Sequence, residues 1–325
     1  MRLLLNGRHA LLLGSPWVKF WIRMIGAPLG VVALTSTGVD AQSLCPSTGV
    51  AVQILGSGGP RAGTGRASAS YLVWVDGRAR VMVDAGGGAF VRFGESHAQL
   101  ADLDLLAISH FHPDHVTDLP GLLWLSDAAR QAPLRVAGPS GSDAFPSLPF
   151  FLAQLFDPER GAFQILSGTL GGPGRGVLLD PITVEVGRSG PELILQERGL
   201  TVHALSVPHG NVPALAYRVS AQGFTVVFSS DQTGGDPRFV DFSRDATALV
   251  MHMAVAPTTS GPASNLHAAP AVVGQVAADA SVQRLILSHL FVHDGPEDLQ
   301  DALADIRARY DGVVGVGEDL ACYPL

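Results

Sequence analysis

His110-Phe111-His112-Pro113-Asp114-His115 is the stretch that decides the fold of this chain. Three imidazoles and a carboxylate fall within six positions, directly after the apolar run from Leu103 to Ile108. Imidazole nitrogens and carboxylate oxygens suit zinc and similar divalent ions. Alternate residues of an extended turn point the same way, so His110 and His112 share one direction. Asp114 and His115 lie just beyond and are placed to face a neighbouring ion. A histidine-rich surface turn is the plainer alternative, but further ligand types follow downstream.

Three such residues close apolar, strand-like runs. His209 follows Ser206-Val207-Pro208, Asp231 follows Val227-Phe228-Ser229-Ser230, and His289 follows Leu285-Ile286-Leu287-Ser288. Polar groups at strand tips are held by a rigid sheet over a common cleft. With the hexapeptide they make seven candidate ligands, enough for two ions that each keep a position open for solvent.

The rest of the chain alternates strands and helices. Strands are expected at Val50–Leu55, Ser70–Val75, Ala79–Asp84, Leu103–Ser109, Leu134–Ala137, Leu200–Val207, Ala214–Val219, Thr225–Ser229, Ala248–Val255 and Leu285–Ser288. Helices are expected at Asp118–Arg130, Phe145–Phe156 with an interruption at Pro149, Ala268–Ala280 and Pro296–Tyr310. Residues 167–192, rich in Gly and Pro, read as loop and strand edges. This is an α/β chain of two related halves.

The ordered set H-x-H-x-D-H, His, Asp, His resembles the metallo-β-lactamase fold superfamily, over about residues 50–325. The resemblance implies a four-layer αββα sandwich: two mixed β-sheets with helices on the outer faces. It implies that His110, His112 and His209 hold a first zinc ion. Asp114, His115 and His289 would hold a second, with Asp231 between them; manganese and iron are alternative metals. Asp231 stands where the family's cysteine-ligand lactamases need Cys. The runs Gly56-Ser57-Gly58-Gly59-Pro60, Gly65-Arg66 and Val83-Asp84-Ala85-Gly86-Gly87 look like the opening of the tRNase Z, arylsulfatase-like and phosphodiesterase branch. His267, 22 residues before His289, sits where that branch keeps a catalytic or phosphate-contacting histidine.

The implied activity is hydrolysis of a phosphodiester or sulfate ester by hydroxide held between two zinc ions. Asp114 would orient the nucleophile and His267 would serve the substrate oxygens. Asp84 would orient a ligand histidine, and His252 would support the site from behind. An arylsulfatase-like enzyme, a lactonase or β-lactamase, and a metal-binding protein without catalysis are the alternatives. The chain also departs from tRNase Z. Met253 replaces the Glu of that enzyme's His-Glu-Ala-Thr motif, His-Ser-Thr becomes His267-Ala268-Ala269, and no tRNA-gripping arm is recognisable between His115 and His209.

Composition narrows the partners. Residues 1–41 carry Arg2, Arg8, Lys19 and Arg23, then the apolar stretch Met24 to Leu34, then Val39-Asp40-Ala41. That order fits a signal peptide cleaved before Gln42, leaving a hydrolase domain over 42–325, periplasmic or secreted, with no lasting membrane insertion. The chain's net charge is −8; without residues 1–41, 17 basic and 28 acidic residues remain, a net of −11. Nucleic-acid binding draws its affinity from basic groups, so a small-molecule ester is expected and nucleic acid is not. A homo-oligomer stays open. Cys45 and Cys322, near the ends of the mature chain, are either bridged, as an oxidising compartment permits, or two separate thiols. Phe145, Phe150, Phe151 and Phe156 either wall an apolar pocket or belong to the core. His97, His203 and His293 have no supporting context.

Overall fold

The computed structural model describes residues 45–124, 130, 132–290 and 296–325. The chain divides into two units, Met1–Asp40 and Ala41–Leu325, and the second carries everything below. The export segment expected over 1–41 and the histidine at 293 lie outside the described residues. Among the described residues, no helix is long and apolar enough to cross a membrane.

Among the described residues, fourteen strands form two mixed sheets of seven. In chain order they are β1 (Val50–Gly56), β2 (Ser70–Val75), β3 (Arg78–Val83), β4 (Leu105–Ala107), β5 (Leu134–Pro139), β6 (Leu179–Val184) and β7 (Glu192–Glu197). Then come β8 (Leu200–His209), β9 (Val212–Ala221), β10 (Phe224–Phe228), β11 (Ala248–His252), β12 (Arg284–Ser288), β13 (Val313–Val316) and β14 (Cys322–Pro324). The first sheet runs β14-β1-β2-β3-β4-β5-β6 and the second β13-β12-β11-β10-β9-β8-β7.

Both faces of each sheet are covered, which is why the central strands read as nearly unbroken apolar runs. Alternate residues separate the layers. Val50, Val52 and Ile54 of β1, Tyr71 and Val73 of β2, and Val226 and Phe228 of β10 pack between the sheets. Ala51 and Leu55 of β1 and Leu72 and Trp74 of β2 face outward. They meet Phe93 of α1 (Ala89–Glu95), Val116 of α2 (Pro113–Val116), Leu122 of α3 (Leu119–Trp124) and Leu152 of α4 (Leu148–Phe156). On the far side, Leu249 and Met251 of β11 meet Phe239 of α5 (Pro237–Ser243), Val273 of α6 (Pro270–Asp279) and Ile306 of α7 (Pro296–Arg307). The order of layers is therefore α, β, β, α, in agreement with the expectation from sequence.

Three expectations need correction. The proline at 149 does not interrupt a helix over 145–156. It stands in the first turn of α4, where a missing N–H costs nothing, and the helix starts at Leu148. The strand expected over 103–109 is cut to Leu105–Ala107, because the chain turns at both ends into the metal motif and a short 3-10 helix at Leu100–Asp102. Residues 167–192 hold more order than their Gly and Pro suggest, including part of a 3-10 helix at Gln164–Leu170 and all of β6. The aromatic cluster splits. Phe156 is fully buried core, Phe150 is exposed, and Phe151 stacks on Phe111 at 4.4 Å.

Cys45 and Cys322 form a disulfide across a separation of 277 residues.

Candidate metal centre

All the candidate ligands sit at one edge of the sandwich, and strand direction is the reason. β3, β4 and β5 are parallel, so their C-terminal ends share an edge. β1 points the same way, being separated from β3 by two antiparallel pairings. In the second sheet β10, β11, β12 and β13 are parallel, and β8 joins them through antiparallel β9. Asp84 follows β3, and the hexapeptide begins three residues after β4. His209 ends β8, Asp231 follows β10, His252 ends β11 and His289 follows β12. Two ties fix the approach to the hexapeptide across the sheets. The Tyr217 hydroxyl donates to Ile108 O at 2.7 Å, and Leu215 N–H donates to Ser109 O at 3.0 Å.

Three of the tip residues have left-handed backbones: Asp84 at φ 59°, Ser230 at 58° and His289 at 53°. That conformation is unfavourable for residues other than glycine, and it persists where surrounding structure enforces it, often at functional sites.

The side chains converge into the groups expected from the sequence. Ligand atoms of His110, His112, His209 and Asp231 lie within 4.8 Å of one another, and so do those of Asp114, His115 and His289. Asp231 Oδ2 lies 3.8 Å from His110 Nε2, 3.6 Å from His115 Nε2 and 3.7 Å from His209 Nε2. Its Oδ1 lies 3.5 Å from His289 Nε2. One carboxylate thus faces ligands of both groups. Asp114 Oδ2 lies 3.1 Å from His289 Nε2 and 3.6 Å from His115 Nε2.

These groups suit divalent ions. Two atoms each about 2.0–2.1 Å from one tetrahedral ion lie roughly 3.3 Å apart, close to the separations seen. The outward ring nitrogens are satisfied: His115 Nδ1–H donates to Asp84 Oδ2 at 2.8 Å, and His209 Nδ1–H donates to Leu266 O at 3.1 Å. The inward Nε2 atoms of the same two residues are buried without a hydrogen-bond partner. An outer hydrogen bond that fixes the tautomer and leaves the inner lone pair free is the usual arrangement of a metal-binding histidine.

Electrostatics suit His110, His209 and Asp231 as ligands, whereas at His115 burial is outweighed by Asp84 and Asp231, which raise the pKa well above its ordinary range, so a metal ion would have to displace that proton. Burial, reinforced by His115, holds the His110 imidazole well below its ordinary range, so it is neutral and its lone pair is available. Burial also depresses His209. Burial alone would raise Asp231, but His289 and His115 outweigh it and hold the carboxyl well below its usual range, as an ionised ligand requires.

The supporting residues expected from sequence are also in place. Asp84 is buried and accepts from Ser109 N–H at 2.7 Å, Ser109 Oγ–H at 2.8 Å and His115 Nδ1–H, tying the strand tip to a ligand. His252 Nδ1 lies 2.7 Å from Asp231 Oδ1, behind the centre. His267 lies at its mouth, with Nδ1 3.9 Å from Asp231 Oδ2 and without a hydrogen-bond partner; burial lowers its pKa to about 4. His97 is exposed and His203 is half-buried in β8, outside the metal-ligand groups.

The glycine runs are explained by close approach. A Cβ on Gly86 would stand 2.1 Å from Asp114 O, and one on Gly59 would stand 2.6 Å from the His289 ring. We expect Gly86→Ala to displace the hexapeptide turn and weaken divalent-metal binding by about 10–100-fold, as loss of ligand support does elsewhere. Chelator competition measures this, and unchanged affinity would show that the turn tolerates the extra carbon. Sequence reasoning misses Tyr71, whose hydroxyl lies 2.9 Å from His252 Nε2. Nothing distinguishes that tyrosine from its apolar neighbours along β2.

An open cavity of about 340 Å³ adjoins the centre, lined by Pro60, Ser68, Gly87, Pro113, Asp114 and Thr117. None of these side chains is basic.

Comparison with known proteins agrees with this geometry. Residues 63–184 match the family model described as metallo-beta-lactamase superfamily. A ribonuclease Z from Mycobacterium marinum is 26% identical over 295 residues, covering 83% of this chain and 97% of that protein. The metallo-beta-lactamase fold protein YhfI from Bacillus subtilis superposes with a TM-score of 0.64 at 19% identity, covering 84% of this chain and 98% of that one. The short form of human tRNase Z superposes at 0.63 and 18% identity, covering 85% and 100%. This chain accordingly carries a metallo-beta-lactamase superfamily domain and is a metal-dependent hydrolase of that fold.

Proposed function

We propose that this protein is an exported hydrolase with two zinc ions that cleaves a phosphodiester, a sulfate ester being the next candidate. The observation that carries the reading is Asp231, whose carboxylate faces His110, His115 and His209 through one oxygen and His289 through the other. His110, His112 and His209 would hold one ion, Asp114, His115 and His289 the other, with Asp231 shared. When bound, divalent ions supply Lewis acidity and bring the pKa of bound water down towards 7.

The chain's own residues do the rest. Asp114, with His289 at one carboxylate oxygen, orients the attacking water from its other oxygen. His267 is neutral, and its free ring nitrogen offers a hydrogen bond to an ester oxygen at the mouth. His252 and Asp84 hold Asp231 and His115 in place. The choice of phosphorus rests on the similarity to ribonuclease Z. A small ester rather than a long nucleic acid is favoured by the net charge of −11 without residues 1–41 and by the lack of basic side chains among the described residues that line the adjoining cavity. RNA is the second reading, favoured by what the relatives are named for. Export is supported by the basic and apolar order of residues 1–41 and by the Cys45–Cys322 bridge, which belongs to an oxidising compartment.

The test is a panel with zinc-supplemented protein: a bis-aryl phosphate, an aryl sulfate, an aryl phosphate, a lactone, a cephalosporin and a structured RNA. The phosphodiester should be turned over fastest, and a mature protein starting at Gln42 should be found outside the cytoplasm. Much faster turnover of lactone or cephalosporin than of both phosphodiester and sulfate would sink the proposal, and preference for the RNA would establish the second reading.

A further inference from the structure

The turn between β13 and β14 carries the chain from the second sheet to the first, and Asp319 stands in it. The turn is tied to both sheets. Gly317 N–H donates to Leu287 O of β12 at 2.7 Å, and Leu320 N–H donates to Ile54 O of β1 at 2.6 Å. The Asp319 carboxylate is mostly buried, and four donors meet it. Its Oδ1 accepts from Ser57 N–H at 3.0 Å and from Ser57 Oγ–H at 2.7 Å. Its Oδ2 accepts from Ala67 N–H at 2.7 Å and from Arg92 Nε–H at 3.2 Å. The Ser57 proton is free for this bond, because the Ser57 oxygen itself accepts from Arg66 Nη1 at 2.6 Å.

Two of these residues, Ser57 and Ala67, sit in the loop that backs His289 and in the segment that supports this loop. Ser57 to Gly59 follow β1, and Ala67 and Ser68 lead into β2. Gly58 N–H donates to Ala67 O at 2.8 Å, and Ser68 Oγ–H donates to Gly59 O at 3.1 Å. Ser57 O accepts from the N–H of Leu290, the residue after His289, at 2.8 Å. Gly59 lies so close to the imidazole that a Cβ there would stand 2.6 Å from His289 Cε1. His289 keeps a left-handed backbone at φ 53°, a conformation that persists only where its surroundings enforce it. Its Nε2 lies 3.1 Å from Asp114 Oδ2 and 3.5 Å from Asp231 Oδ1.

We propose that Asp319 is a positioning residue of the metal centre: by gathering Ser57 and Ala67 it seats Gly59 on the His289 ring and anchors Leu290, and so holds the His289 nitrogen in the second ligand group. This rests on the metal-centre reading but not on which ester is cleaved. Asp319→Asn tests it with almost no change of size. Every partner of the carboxylate is a donor, and an amide accepts through one oxygen only. Whichever way the amide is turned, the backbone N–H of Ser57 or that of Ala67 loses its acceptor, and one of the two segments is released.

Hydrogen exchange of metal-free protein, followed by NMR, reads the loop, and competition with a chelator for zinc reads the centre. In Asp319→Asn the Leu290 amide should exchange about tenfold faster or more, while the Ile286 amide within β12 keeps its wild-type rate. Zinc affinity should fall about 10–100-fold at one site and stay as in the wild type at the other. Arg92→Met removes the ion pair but leaves the Ser57 and Ala67 donors in place, so exchange and affinity should not change. A merely structural aspartate would lower the thermal midpoint, speed both amides together and leave zinc affinity alone, which would overturn the proposal. An equal loss in Arg92→Met would overturn it too, by making the ion pair rather than the loop the cause. A third outcome needs no folded variant: unprotected Ser57, Ala67 or Leu290 amides in the wild-type protein would show that the clamp does not exist. A wild-type protein that takes up no zinc would overturn the metal-centre reading as well, and metal analysis alone tells that result from the others.

Discussion

Asp231→Asn should lower ester turnover by about a thousandfold or more, because a metal ion contributes several kcal/mol of transition-state stabilisation and this carboxylate faces both ligand groups. The substitution keeps size and hydrogen-bonding capacity but removes the charge. Three histidine nitrogens, of His110, His115 and His209, lie 3.6–3.8 Å from its Oδ2, so an ion held among them would lose its anionic partner. His252 Nδ1–H would retain an acceptor in the amide oxygen, so the fold should survive. On the two-zinc reading proposed above, metal content should fall below two ions per chain. Metal analysis and the ester assay together check this, and full zinc with full turnover would remove Asp231 from the centre.

Breaking the Cys45–Cys322 bridge is expected to have the largest effect on stability. The bridge closes most of the chain, its two cysteines standing 277 positions apart. In the chain-entropy model a loop of that length is worth roughly 5 kcal/mol, which for a domain of this size lowers the melting midpoint by about 10 °C. Locally it pins β14, the edge strand, whose Cys322, Tyr323 and Pro324 pair with Gln53, Val52 and Ala51 of β1. Calorimetry of the double variant Cys45→Ser, Cys322→Ser against the oxidised protein measures the difference. Equal midpoints would show that β14 is held by its ladder and by packing alone. The zinc content should stay the same, because neither cysteine belongs to a ligand group.

Much of the centre is legible in the amino-acid sequence. Strong ligand types placed directly after apolar runs are a local signal, and a sheet whose functional strands share one direction turns that local signal into a spatial one. His209, Asp231 and His289 stand out because each ends a run of Val, Leu, Ile or Phe. Asp84 and His252 are marked by resemblance, but the contacts they make are not. The edge strands β7 and β13 are less legible, since their apolar stretches, Leu193-Ile194-Leu195 and Val313-Val314, are short and flanked by acids, glutamine or glycine. Pro149 reads as a breaker because sequence alone does not say whether a proline falls in the first turn of a helix or in its middle.

The sequence by itself determined the ligand chemistry, the order of the ligands and the α/β class, because residue type and period are local properties. Only the tertiary structure decided the pairing of Cys45 with Cys322, which depends on β14 joining β1. The need for glycine at 59 and 86 was likewise decided by the backbone and ring that come against them. The contacts of Tyr71 have the same origin. In the alternation of β2 it is one more inward-facing aromatic, and its hydroxyl meets His252 and Ser288 only because the second sheet brings them to it.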